Sequence, residues 1–312
     1  LVVAGQVGGA AWAAEALGPD LVLVGHACRD LVEGGFRLGG GVIYGGLVAR
    51  NLGLRVGVVT SVGPDLDLRS ALPGVCLAVR PSPASTIFHN AYRDKVRRQH
   101  LYSRALSLRA EDVPAAWRKA RLVLLSPLAQ EVPCDLGRLF PHALVGASVQ
   151  GWLRRWDDSG HVEQVPWPFA SSALVSVSVI VVGESDLVAE PRGIAALQSS
   201  LDFGKRSGGV SGTSPLSVPL VVVTRGEKGC TVHWNNETES FAAYSVSEVD
   251  PTGAGDAFAV AFLVEFQRTG DWRRAADFAN CVASFVVEKP GVLGVPTLDA
   301  IEKRLGREWG RT

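Results

Sequence analysis

The 312-residue sequence contains no methionine, only 7% aromatic residues and no net formal charge, with 31 basic side chains against 31 acidic ones. Each shortage excludes something. The charge balance removes the broad cationic field that captures nucleic acid or an anionic membrane, so neither partner is expected. No apolar run reaches the ~20 residues that cross a bilayer. The five cysteines, Cys28, Cys76, Cys134, Cys230 and Cys281, are odd in number and never spaced C-x-x-C. That pattern fits reduced, packed thiols better than a disulfide framework. His26 and Cys28 are the closest His/Cys pair in sequence, and nothing beside them completes a four-ligand zinc site. The apolar start, 1–16, contains Ala11-Trp12-Ala13, which looks like a processing site, but it has no basic flank and leads into a strand-like run. A cytoplasmic location is the expectation. With Leu at position 1 and no Met, the native N-terminus stays open.

What is present is a 47% hydrophobic chain with 35 glycines, enough for a large buried core threaded by tight turns. Leu21-Val22-Leu23-Val24-Gly25 reads as a buried parallel strand. Gly39-Gly40-Gly41 opens a helical stretch through Asn51, and 55–62 is the next strand. Two strands at 86–92 and 96–102 bracket a charged turn, as a hairpin projecting from the main sheet does. Further strands are predicted at 122–125, 143–149, 177–182 and 220–224, a Ser/Gly/Thr-rich surface connection at 204–215, and helices at 256–266, 272–288 and 298–305. Strands alternating with helices imply an α/β fold with a mainly parallel sheet covered on both faces, and a ligand site beyond the strands' carboxyl ends.

The chemistry concentrates in Asp250-Pro251-Thr252-Gly253-Ala254-Gly255-Asp256. Pro251 and two glycines make a tight turn, and an apolar helical run follows at once. Free N–H groups at a helix start, with the positive end of the helix dipole, make an anion site. An ionised Asp256 inside such a nest suits removal of a proton from an attacking alcohol. A lone G-x-G is ordinarily a capped turn; the full string before a helix is more specific. It is not a P-loop, because G-x-x-x-x-G-K-[ST] is absent from the chain.

This string resembles the C-terminal signature of the PfkB, or ribokinase-like, carbohydrate kinase family. Other segments are similar too: Gly25 with Asp30, Leu38-Gly39-Gly40-Gly41, Leu52-Gly53 with 59–65, the lid-like 86–99, Val222-Val223-Thr224-Arg225-Gly226-Glu227-Lys228-Gly229, Asn280 and Pro290-Gly291. The resemblance implies one ribokinase-like three-layer α/β/α domain over 1–312, with a small β lid near 31–38 and 84–104. It implies phosphoryl transfer from ATP to a hydroxyl, with Asp256 as catalytic base and Gly253, Ala254 and Gly255 in the anion hole. Substrate contacts are expected from Asp30, Gly40, Gly41, Tyr44, Gln150 and Arg154. Nucleotide contacts are expected from Thr224, Gly226, Gly229, Thr252 and Asn280. Mg2+, held largely by phosphates and water, would be helped by Glu184 or Asp186. A monovalent cation such as K+ and a homodimer formed through the lid are left open.

Three departures matter. Tyr44 stands where the family has Asn, Gly183-Glu184-Ser185-Asp186 replaces N-x-x-E, and Ser148-Val149-Gln150 replaces D-x-N. Val149-Gln150-Gly151-Trp152-Leu153-Arg154, Asp157 and Gly160-His161-Val162 resemble the plant-type myo-inositol kinase branch. A cyclic polyol is therefore the favoured acceptor. The alternatives are ribose, fructose, 2-keto-3-deoxygluconate or a nucleoside, and a non-catalytic binding protein on the same scaffold. Trp152 and Trp156 are read as packing residues, and the basic cluster Arg93, Lys95, Arg97 and Arg98 as a solvated turn.

Overall fold

In the computed structural model, the described residues are 2–4, 18–93, 96–166, 174, 176–187, 219–235 and 237–310. The connection expected at 204–215, most of the apolar start at 1–16 and Lys95 lie outside them, as do the side chains of Arg93 and Arg97. The main sheet contains β1 (Val2–Ala4), β2 (Leu21–Val24), β5 (Val56–Val62), β6 (Cys76–Pro81), β9 (Leu122–Leu125), β10 (Leu144–Ser148), β13 (Val179–Gly183), β14 (Leu220–Thr224), β15 (Cys230–Trp234) and β16 (Glu237–Phe241). A second sheet contains β3 (Cys28–Val32), β4 (Gly35–Gly39), β7 (Thr86–Arg93) and β8 (Val96–Ser103), and β11 (Arg154–Trp156) pairs with β12 (Val162–Gln164). The helices are α1 (Gly41–Asn51), α2 (Leu68–Ala71), α3 (Ala254–Thr269), α4 (Trp272–Val286) and α5 (Leu298–Leu305).

The main sheet runs β1-β6-β5-β2-β9-β10-β13-β14-β15-β16. Strands β6 through β14 are parallel; β1 at one edge and β15 and β16 at the other are antiparallel. The alternating direction of side chains in a strand divides the core in two. Leu21 and Leu23 face Val42 and Ile43 of α1 and Phe262 of α3. Val22 and Val24 face the opposite layer, with Trp117 and Trp152. Trp152 also donates its indole N–H to the Val132 carbonyl at 2.8 Å, which makes it a packing residue. The fold is an α/β arrangement around a mainly parallel sheet, as the alternation of elements predicts, and it agrees with the ribokinase-like core that the resemblance implies.

Several elements escape a reading by hydrophobic runs. Asp30, expected beside the first strand of the main sheet, lies on β3 of the second sheet, because the chain leaves the main sheet after Val24. Strand 220–224 continues into the antiparallel β15 and β16, whose outer residues are polar and half exposed. The hairpin of β11 and β12 carries on the second sheet: Leu101 donates its N–H to the Gly160 carbonyl at 2.8 Å, and His100 and His161 form a β-bridge.

A buried polar knot joins the second sheet to the main one. His26 Nε2–H donates to the Leu106 carbonyl at 3.0 Å, which leaves Nδ1 to accept from the Thr86 hydroxyl at 2.8 Å. Thr86 in turn accepts the Ala105 N–H at 3.0 Å. The Glu131 carboxylate, 1% exposed, accepts the N–H groups of His26, Leu128 and Ala129. Burial disfavours ionising Glu131, but the neighbouring His26 and these amides outweigh it and hold its pKa low. Burial holds the His26 pKa below its ordinary 6.5. The unfolded chain therefore binds more protons than the folded one below about pH 6.5, and stability falls as pH falls. Glu131 acts in the same direction at lower pH. Urea unfolding should show a lower free energy at pH 5.5 than at pH 7, with a shallower decline in His26→Gln; equal stabilities at the two pH values would contradict this role.

Candidate active site

A cleft of about 900 Å³ opens at the carboxyl ends of β10, β13 and β14, between the main sheet and the second sheet. Its position is the usual ligand crevice of an open α/β sheet. Asp30, Phe88 and Gln99 line it from the second sheet; Arg154, His161 and Gln164 line it from the β11–β12 hairpin. Ser148, Gln150, Asp186 and Thr224 line it from the strand ends, and Gly40, Tyr44, Gly253, Gly255 and Asp256 from two glycine turns.

Those two turns start helices that meet at one carboxylate. Gly40 (φ 98°) precedes α1 and Gly253 (φ 82°) precedes α3, both conformations that favour glycine. Side chains are excluded here for a second reason, close approach. A Cβ on Gly39 would lie 2.2 Å from Asp30 Oδ2; one on Gly41 would lie 1.9 Å from Ser126 Oγ and 2.7 Å from Asp256 Oδ1. The run of glycines thus lets Asp30, Ser126 and Asp256 press against the first turn of α1. Asp256 itself occupies the first turn of α3, so both helix dipoles favour its charge.

The amides of the second turn divide their work. Thr252 N–H donates to Asp250 Oδ1 at 3.0 Å, and Ala254 N–H to the Pro251 carbonyl at 3.3 Å. Ala254 does not line the cleft, which removes it from the anion site expected from the sequence. Gly255 and Asp256 do line it, in the first turn of α3. Asp250 anchors the turn: besides Thr252 it accepts the Gly291 N–H at 3.1 Å and Arg37 Nη1–H at 2.8 Å. Burial opposes its ionisation, but these donors hold the Asp250 pKa below the usual carboxylate range.

Tyr44 occupies the floor. A Cβ on Gly253 would stand 2.4 Å from three atoms of its ring. The side chain is 1% exposed, and its hydroxyl has no protein partner. Burial, followed by the charges of Asp250, Asp30 and Asp256, pushes the phenol pKa up. Across the cleft, Gln99 donates to Asn90 Oδ1 at 2.7 Å and Asn90 donates to Asp30 Oδ1 at 2.9 Å, a relay that orients Asp30. Arg154, 4% exposed, donates to the Leu128 carbonyl at 3.0 Å and lies 5.7 Å over the Phe88 ring.

The expected donor-side residues are only partly brought together. Thr224 and Thr252 line the cleft; Gly226, Gly229 and Asn280 do not. Asn280 is buried and donates to the Ala242 carbonyl at 3.2 Å and the Phe241 carbonyl at 3.4 Å. Asp186 lines the cleft, but Gln150 Nε2 donates to its two oxygens at 2.9 and 3.1 Å. Glu184 is exposed and stands outside the lining. Among the described residues no group of three His, Cys, Asp or Glu side chains is placed to hold a metal ion. Gln99, His161 and Gln164 were not read as site residues from the sequence, although His161 stands in the segment that resembles the inositol kinase branch; sheet pairing is what brings each to the cleft.

Residues 214–298 match the model of the pfkB family carbohydrate kinases. An ATP-dependent ribose-1-phosphate kinase of Halopiger xanaduensis is 34% identical over 82 residues, 26% of this chain and 28% of the relative. The chain spans less than half the length of the first curated relatives it matches. Solved structures extend the likeness in fold. A pyrophosphate-dependent kinase of the ribokinase family, complexed with a pyrophosphate analog and myo-inositol, superposes with a TM-score of 0.71 at 22% identity, covering 91% of this chain and 99% of that one. Arabidopsis thaliana ribokinase complexed with ribose and ATP gives 0.69 at 20% identity, covering 92% and 98%.

The glycine turn at Gly253 and the Tyr44 ring are mutually dependent. Gly253→Ala should destabilise the chain by about 2–4 kcal/mol, through positive φ and overpacking against the ring. In a Tyr44→Ala background the same change should cost less, because only the backbone penalty remains. Equal costs in both backgrounds, measured by denaturant unfolding, would show that the ring does not set the requirement.

Proposed function

We propose that this chain transfers the terminal phosphoryl group of ATP to a hydroxyl of a sugar or cyclic polyol, with Asp256 as general base. The observation that carries the reading is the place of Asp256, in the first turn of α3, against the start of α1 and on the wall of the cleft. The acceptor hydroxyl gives its proton to the Asp256 carboxylate as its oxygen attacks the phosphorus in line with the departing oxygen. Charge on the transferred oxygens faces the Gly255 and Asp256 amides and the positive end of α3, which need no reorganisation to receive it. Magnesium brought with ATP would neutralise phosphate charge and would be held largely by phosphate oxygens and water; the described side chains offer it no three-residue set.

The acceptor reading rests on the polarity of the opposite wall. Asp30, Gln99, Arg154, His161 and Gln164 surround the space with donors and acceptors, as a hydroxyl-rich ligand requires. The unpartnered Tyr44 hydroxyl adds one more. A myo-inositol-type polyol is favoured, in keeping with the inositol-bound structure of the same fold. The second sheet acts as a lid that closes over the acceptor and excludes water, so that ATP is not hydrolysed.

One observation favours a second donor. The Asn280 amide, expected near adenine, is spent on the Phe241 and Ala242 carbonyls. A donor bound by its phosphates alone needs no such contact, and pyrophosphate is the donor named for one kinase of this fold. Acceptor phosphorylation with ATP or pyrophosphate as sole donor separates the two.

With the better donor, Asp256→Asn should lower turnover by about 10²–10⁴-fold while donor binding stays within about twofold. Unchanged turnover would remove Asp256 from the reaction.

A further inference from the structure

We propose that Asp186 is a positioning residue for the acceptor rather than a metal ligand: it holds Gln150 and Gln164 so that their carbonyl oxygens receive hydroxyls of a polyol. The inference rests on the kinase reading and specifies its acceptor site. Asp186 is 7% exposed, in the turn that follows β13. Its Oδ1 accepts Gln150 Nε2–H at 2.9 Å and Gln164 Nε2–H at 3.4 Å, and its Oδ2 accepts Gln150 Nε2–H at 3.1 Å. An ionised carboxylate only accepts, so each glutamine must turn its NH2 group toward Asp186 and its carbonyl oxygen away from it.

All three side chains line the cleft. Gln150 follows β10 of the main sheet, whereas Gln164 ends β12 of the hairpin that continues the second sheet. The trio therefore ties the main sheet to the wall that carries Arg154 and His161. The amide hydrogens compete with a cation for the carboxylate's lone pairs, and the positive ends of two amide dipoles meet there. Glu184, the other candidate ligand, is exposed and does not line the cleft. Two outward carbonyl oxygens select a neutral ligand with neighbouring hydroxyl donors, and give nothing to an apolar or anionic group.

Wild type, Asp186→Asn, Asp186→Glu and Gln164→Leu are compared by calorimetric binding of myo-inositol, and by turnover against myo-inositol, donor and Mg2+. Gln164 is exposed, so Gln164→Leu carries the test if Asp186→Asn does not fold. Asp186→Asn and Gln164→Leu should each raise the acceptor KM and Kd on the order of tenfold, the loss of one ligand hydrogen bond. The donor KM and the Mg2+ concentration for half-maximal rate should not move, and Asp186→Glu should recover part of the acceptor affinity. An increased Mg2+ requirement in Asp186→Asn with an unaltered acceptor KM would overturn the inference. So would unaltered acceptor binding in both variants, or a wild type that binds neither myo-inositol nor any pentose or hexose. A wild type that binds polyol yet transfers no phosphate overturns the kinase reading alone, and the binding comparison then decides this one.

Discussion

Two helix starts converge on one carboxylate, and the rest of the cleft is arranged around that meeting. Asp256 stands in the first turn of α3 while its Oδ1 lies against the first residue of α1, Gly41. Helix starts carry partial positive charge, so two of them at one point make a strong anion environment. That arrangement accounts for the glycine demand on both turns. A side chain at Gly41 would displace Asp256 or Ser126, and one at Gly253 would meet the Tyr44 ring. It also explains the first residue of the signature. Asp250 makes no use of the cleft and instead ties the turn to Gly291 and to Arg37 of β4. The turn is thus braced from the C-terminal region and from the second sheet together.

The walls divide by chemistry. The floor is Tyr44, buried beneath the glycine turn. The far wall is polar and built from short strands that share hydrogen bonds across sheets: Gln99 to Asn90 to Asp30 within the second sheet, and Leu101 to Gly160 where the β11–β12 hairpin joins it. Such a wall positions donors and acceptors by backbone pairing rather than by loops, which keeps a specificity surface precise. The His26, Thr86 and Glu131 knot sits where this wall leaves the main sheet, and its imidazole, bonded at both ring nitrogens, fixes the angle of departure.

The main sheet was legible because parallel strands buried on both faces read as unbroken Val and Leu runs, as at 21–24, 122–125 and 220–224. The helix starts were legible because glycine punctuates them. Strands with one face in water were harder: β15 alternates apolar and polar residues over only five positions, and β16 has a single apolar residue, Phe241. The glycine turn was recognised, but not that Ala254 turns its amide to Pro251, since helix position alone does not tell which first-turn N–H faces a ligand. Asp186 was read by its place in a motif as a metal ligand; its partners Gln150 and Gln164 come from separate elements, 14 residues apart in sequence, and only tertiary structure joins them.

The central claim is tested most directly by a crystal structure of the chain with a non-hydrolysable ATP analogue and a polyol acceptor. The account requires the terminal phosphate to accept the Gly255 and Asp256 N–H groups, and an acceptor hydroxyl to lie about 2.6–3.2 Å from the Asp256 carboxylate. A terminal phosphate bound away from the start of α3, or an acceptor with no hydroxyl near Asp256, would contradict it.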